Sequence, residues 1–138
     1  MTEYEPWMIW EFLFIAVPFL IIIILFLLTQ YKILELVHPA NRCMHPALVW
    51  LQLIPFFGTL WQFYVICKIA DSLRNELNTS DLPFAYVAGL CYATSFCFGI
   101  LPLGIFQFLA LLITFVMWIT YWILLLYYRK RLKKIIQY

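Results

Sequence analysis

The chain has 138 residues, of which 66% are hydrophobic, 20% aromatic and only 12% charged, with a formal net charge of +2. A soluble domain is roughly 45–50% apolar and about a quarter charged, so a chain this short has no means of hiding its apolar excess from water and is expected in a lipid bilayer. The same shortage of charge excludes a disordered chain and a nucleic-acid binder with a broad basic face.

A transmembrane helix needs roughly 20 mostly apolar residues to cross about 30 Å of hydrocarbon. Residues 12–28 form an unbroken uncharged run, preceded by Trp7 and Trp10 at interface depth. Helical character is expected to continue to residue 37, giving a first span over 7–37 with a bend at Pro18, where a backbone donor is lost. A secretory signal fits badly here: Glu3, Glu5 and Glu11 precede the run without any Lys or Arg, and the run is too long. A second span is expected over 46–70, opened by Pro46 in a first helical turn. Residues 82–128 carry no charge and are too long for one crossing. Gly99, Pro102 and Gly104 divide them into a third span over 83–99 and a fourth over 102–128. The expected fold is an all-α membrane protein, a four-transmembrane-helix bundle forming one domain over 1–138. Helix 2 continues as a cytoplasmic amphipathic extension, and a basic tail occupies 129–138.

Four crossings put both termini and the connection over 68–83 on one side. That side holds seven cations, Lys68, Arg74, Arg129, Lys130, Arg131, Lys133 and Lys134, against Lys32 and Arg42 on the other. The positive-inside bias then makes both termini cytoplasmic and the turn over 38–46 periplasmic or exterior. Of the four cysteines, Cys67, Cys91 and Cys97 fall in or at the end of spans, where a thiol acts as a small apolar group. Cys43 sits in the exposed turn, open to an intermolecular bridge and to no pairing within the chain.

Helices in lipid associate through close packing and interhelical hydrogen bonds. Ala85, Gly89, Ala93 and Cys97 recur at fourfold spacing in span 3 and form a groove for a neighbouring backbone. At about 100° per residue, Gln52, Thr59 and Gln62 cluster on one side of span 2, and Trp50, Phe57, Trp61 and Tyr64 lie opposite, with Pro55 and Gly58 disturbing the phase. Span 4 carries a similar stripe of Gln107, Ala110, Thr114 and Tyr121. An unpartnered amide in hydrocarbon is costly, so the two stripes are expected to face each other. Their residues serve either as interhelical glue or as the lining of a polar path or pocket, or one stripe meets a partner protein.

The turn over 38–46 is bracketed by Pro39 and Pro46, which push His38 and His45 out of helical geometry. His38, Cys43 and His45 match no standard metal spacing and lack a fourth ligand. A structural turn is expected instead, with Asn41 capping and Arg42 reaching a headgroup phosphate or a helix end. In the second connection, Ile66, Ile69, Ala70, Leu73 and Leu77 keep one apolar face. Lys68, Asp71, Ser72, Arg74 and Glu76 form its polar side, with i,i+3 pairing of Lys68–Asp71 or Asp71–Arg74. It is either a solvated interfacial helix or a docking surface for a cytosolic partner. Thr79, Ser80 and Asp81 are suited to cap span 3, with Pro83 in its first turn. In the tail, Arg129, Lys130, Arg131, Lys133 and Lys134 interleave with Leu132, Ile135 and Ile136, an arrangement suited to anionic headgroups.

No nucleophile–base arrangement, metal motif, phosphate loop or ionisable residue near the centre of a span points to an enzyme or an ion-coupled pump. No cofactor is implied. One stretch has a more particular pattern: Pro39, Asn41, Arg42, Met44, Pro46, Val49, Trp50, Leu51, Leu53, Ile54, Pro55, Phe57, Trp61, Phe63 and Val65, then Ile69, Ala70, Asp71, Ser72, Leu73 and Glu76. In this order it resembles a group of small multi-span bacterial inner-membrane proteins with no assigned activity. The likeness covers about a third of the chain. It implies a bacterial inner-membrane setting and draws attention to the Asn41–Arg42 and Asp71–Ser72 turns. The expected function is a non-catalytic accessory or scaffold component that associates with a membrane-protein partner, or with itself, through span 2 and its flanking turns. The alternative is a small oligomeric channel or transporter with Gln52, Thr59, Gln62 and Gln107 along its path. The lipid bilayer is a partner in either case, and nucleic acid in neither.

Overall fold

The computed structural model describes residues 6–79, 83–102 and 104–137; Glu3, Glu5, Ser80 and Asp81, singled out above, lie outside them. In chain order come α1 (Pro6–Leu36), a 3₁₀ helix (Pro46–Leu53), α2 (Phe57–Leu77), α3 (Pro83–Ile100) and α4 (Ile105–Ile136). No strand occurs among the described residues. Two helices, α1 from Trp7 onward and α4, are long and apolar enough to cross a membrane, and Ala85–Ile100 is a shorter apolar helix. At 1.5 Å per residue the two long helices reach roughly 45–48 Å and α3 about 27 Å. Only 17% of the most apolar stretch of each long helix is buried inside the protein, whereas the core helix of a water-soluble domain buries most of its apolar surface. The helix α1 runs unbroken through Pro18.

The expected second span over 46–70 is not one helix, and this is the main correction to the sequence reading. Residues 46–53 wind as a 3₁₀ helix, Ile54 is extended (ψ 121°), Phe56 takes a positive φ of 62°, and α2 begins at Phe57. Pro55 explains the break: it cannot donate a backbone hydrogen bond, and it disfavours helical geometry at the residue before it. Beyond the break the chain doubles back. The indole Nε1 of Trp61 donates to the Leu48 carbonyl at 2.9 Å, and a Cβ on Gly58 would collide with the Gln52 carbonyl. Only glycine lets the two arms approach this closely. The tip of this hairpin shares a cavity with Phe19, Ile22 and Ile23, near the midpoint of α1, so the hairpin reaches about half the length of that helix and returns.

A second correction follows. The turns over 38–46 and at the end of α2, expected on opposite faces of a membrane, meet at one pole. Asn41 Nδ2 donates to Glu76 Oε2 at 2.8 Å, the His38 amide to the same oxygen at 3.2 Å, and the Cys43 amide to Ser72 Oγ at 2.9 Å. Ile136, at the end of α4, shares a surface pocket with His38 and Glu76 at this pole. The start of α1 and the α3–α4 connection lie at the other. The basic tail is not a separate segment: with no Gly or Pro between Ile105 and Ile136, α4 continues through it, burying Leu132 while Ile135 and Ile136 stay exposed.

The core fills the half of the bundle nearest the shared pole. Ile33 and Leu34 of α1 and Val37 just past its end join Val49, then Ile66, Ile69 and Leu73 of α2, Ala85 and Ala93 of α3, and Leu125 and Leu132 of α4, all buried. Gly89 marks the closest approach of α2, α3 and α4: a Cβ there would lie 2.7 Å from Ile66 Cγ2 and 3.0 Å from Tyr121 Cε2. Of the small-residue ladder, Ala85, Gly89 and Ala93 are buried and Cys97 is half-buried. Phe26 joins α1 to the rest through edge-on rings of Tyr92, Trp118, Tyr121 and Trp122, with centroids 5.5–6.3 Å away. Toward the other pole the helices splay, leaving residues 7–15 of α1 exposed.

Candidate functional site

The splay leaves a cavity of about 490 Å³ between α1, the hairpin, α3 and α4, within the size range of small-molecule sites. Its rim is apolar and open: Phe19 is 62% exposed, Phe56 90% and Phe115 58%. Its floor is closed, with Phe26, Leu27 and Gln62 each under 5% exposed. Tyr92, Phe96 and Trp118 add aromatic wall, and among the described residues no Asp, Glu, Lys, Arg or His lines the cavity.

All three residues of the expected span 2 stripe, Gln52, Thr59 and Gln62, line this cavity, joined from the span 4 stripe by Thr114. They arrive from three elements, Gln52 from the 3₁₀ arm, Thr59 and Gln62 three apart on α2, and Thr114 from α4. Gln107 does not join them. Its Nε2 donates to the Gly99 carbonyl at 3.2 Å and ties the end of α3 to α4. Gln52 Nε2 donates to Gln30 Oε1 at 2.7 Å and to the Val49 carbonyl at 3.3 Å. Thr114 Oγ1 donates to the Ala110 carbonyl at 2.7 Å, one turn back on its own helix. Gln62 differs: its amide nitrogen is buried with no acceptor among the described residues.

Sequence reasoning missed Gln30 and Thr29, both buried. Thr29 Oγ1 accepts from Trp122 Nε1 at 3.1 Å across 93 residues and donates to the Leu25 carbonyl. Two adjacent polar side chains closing a 17-residue uncharged run were the available signal, because an amide at such depth requires a partner.

At the shared pole, Arg42 donates from Nη2 to the Glu35 and Val37 carbonyls at 3.1 Å each, capping the C-terminal end of α1 as a cation suits that end of the helix dipole. Asn41 binds Glu76 instead of capping. Ser72 is buried, accepting from Cys43 and donating to the Lys68 carbonyl at 2.7 Å. Neither Lys68–Asp71 nor Asp71–Arg74 pairs; the ion pair among the described residues is Lys32–Glu35 at 2.9 Å. His38 and His45 each accept a backbone amide on Nδ1, from Ala40 and Ala47 respectively, so those ring nitrogens hold turns together. Among the described residues no cluster of His, Cys, Asp or Glu is able to hold a metal ion. In the tail Lys130, Lys133 and Lys134 are exposed, and Arg129 and Arg131 half-buried.

No protein family, curated protein or solved structure matches this chain.

Proposed function

We propose that the chain is a non-catalytic integral membrane protein, an accessory component whose working part is a cleft that takes a lipophilic molecule from the bilayer. One observation carries the reading: a 490 Å³ cavity with an exposed apolar rim, a buried floor and a small group of polar side chains inside it. In lipid that rim faces acyl chains, and a hydrocarbon tail enters without leaving an apolar environment. The polar turns are less suited to docking a partner than the sequence suggested, because Asn41, Ser72 and Glu76 bond to one another's segments. A path through the middle of a single bundle is not favoured, since the packed core around Ile33, Leu34 and Ile66 closes it beyond the cavity.

The proposed setting is a bacterial inner membrane, supported by the resemblance over residues 36–77. The proposed topology is three crossings by α1, α3 and α4 with the half-depth hairpin between α1 and α3. All nine Lys and Arg residues fall toward the shared pole, from Lys32 at the end of α1 to Lys134 at the end of α4. The positive-inside bias makes that pole cytoplasmic, which puts the C-terminus inside and the N-terminus outside. The function is tested by purifying the protein in a mild detergent and identifying what organic solvent extracts from it. The expected result is one lipophilic species at about one per chain, lost when Phe26 and Thr59 are both changed to Trp to fill the cavity. Extracts whose composition matches bulk membrane lipid before and after filling refute the reading.

A further inference from the structure

Resting on the lipophile-binding reading, we infer that the cavity takes a lipophilic quinone: an uncharged planar ring with carbonyl oxygens, held at the blind end with its hydrocarbon tail leaving at the rim. The observation is the Gln62 side chain, 4% exposed, lining the cavity, with an amide nitrogen that no protein group accepts. A buried donor without a partner costs about 1–3 kcal/mol, a cost that an acceptor on a ligand at the cavity floor would offset. Thr59, one turn earlier on the same face of α2, makes no side-chain hydrogen bond among the described residues and also lines the cavity. Two donors at a floor call for acceptors on the ligand.

The rest of the lining narrows the class. With no cation there, a carboxylate or phosphate would be buried without its counter-charge, a cost no site of this kind recovers; the head is neutral. The walls are aromatic, with Phe26, Tyr92, Phe96 and Trp118 around the floor, and flat rings pack on such walls in offset or edge-on geometry. A diacylglycerol also offers neutral carbonyls, but it brings two chains and no ring to use that wall.

The test uses the full chain in phosphatidylcholine nanodiscs free of quinone, with tritiated decylubiquinone as ligand, empty nanodiscs as background, and decylbenzene and dioctanoylglycerol as competitors. Saturable binding near one per chain is expected, with decylbenzene at least tenfold weaker as a competitor. Gln62→Met should weaken binding about tenfold, the size of one buried hydrogen bond, and Thr59→Val somewhat less. Gln107→Leu, outside the cavity, should leave binding unchanged. Monodisperse elution of each variant keeps a folding defect apart from a lost contact. Equal competition by decylbenzene, or an unaltered affinity in a well-folded Gln62→Met protein, overturns the quinone while leaving the lipophile cleft standing. Stronger competition by dioctanoylglycerol reassigns the site to ester lipids and also overturns it. No saturable binding of decylubiquinone overturns the quinone, and the solvent-extraction experiment then decides separately whether the lipophile cleft stands.

Discussion

The meeting of the two polar turns is open to a quantitative check through Asn41 and Glu76. Their 2.8 Å hydrogen bond runs from an amide to a carboxyl oxygen, and hydrogen bonds to acidic side chains contribute about 1.5–3 kcal/mol when well shielded. Both residues are half-buried, so water competes and a value of about 1 kcal/mol is the reasonable expectation. Glu76→Ala should cost more than Asn41→Ala, roughly 2 kcal/mol against 1, because it also removes the acceptor of the His38 amide. The double variant should then be less destabilised than the sum of the singles by about 1 kcal/mol, since contacting residues couple and distant ones do not. Equilibrium unfolding in mixed micelles with increasing dodecyl sulfate measures all four proteins. Additivity within about 0.3–0.5 kcal/mol is what sites more than 7–10 Å apart give. That result would restore the arrangement in which these turns lie across a bilayer from each other, and with it four crossings.

Two further outcomes are expected. An accessible tag at the N-terminus should be labelled from outside intact spheroplasts and one at the C-terminus only after lysis; labelling of both ends from one side removes the three-crossing topology. Gly58→Ala should destabilise by about 1–3 kcal/mol, as overpacking typically does, because the added carbon meets the Gln52 backbone. Gly89→Ala should cost less, since the added carbon meets side-chain atoms of Ile66 and Tyr121 and not backbone; dodecyl sulfate midpoints in the opposite order contradict the hairpin geometry.

The long helices were legible because their signal is local. A charge-free run bounded by Glu11 at one end and Lys32 at the other defines most of α1, and Gly99, Pro102 and Gly104 mark the α3–α4 connection from composition alone. Pro55 and Gly58 were legible as irregularities, but their consequence was not. Whether a proline bends a span or ends it depends on what the chain meets next, and here it meets itself, with Trp61 against Leu48. The pairing of Asn41 with Glu76 across 35 residues leaves no periodic trace. The polar stripe had a mixed fate for the same reason. Thr59 and Gln62 share a helical face as the period requires, Gln52 reaches them from a different element, and Gln107 stands alone because it bonds to the neighbouring turn.

The aromatic collar of Phe26 bears on how the molecule is made. Its four ring partners all belong to the last two helices, three of them to α4. A ribosome delivering this chain from its amino end therefore releases the first helix long before the rings that will enclose Phe26 exist. Closure around Phe26 waits until α4 has been made, and a product cut short before α4 would leave Phe26 without three of its four ring partners.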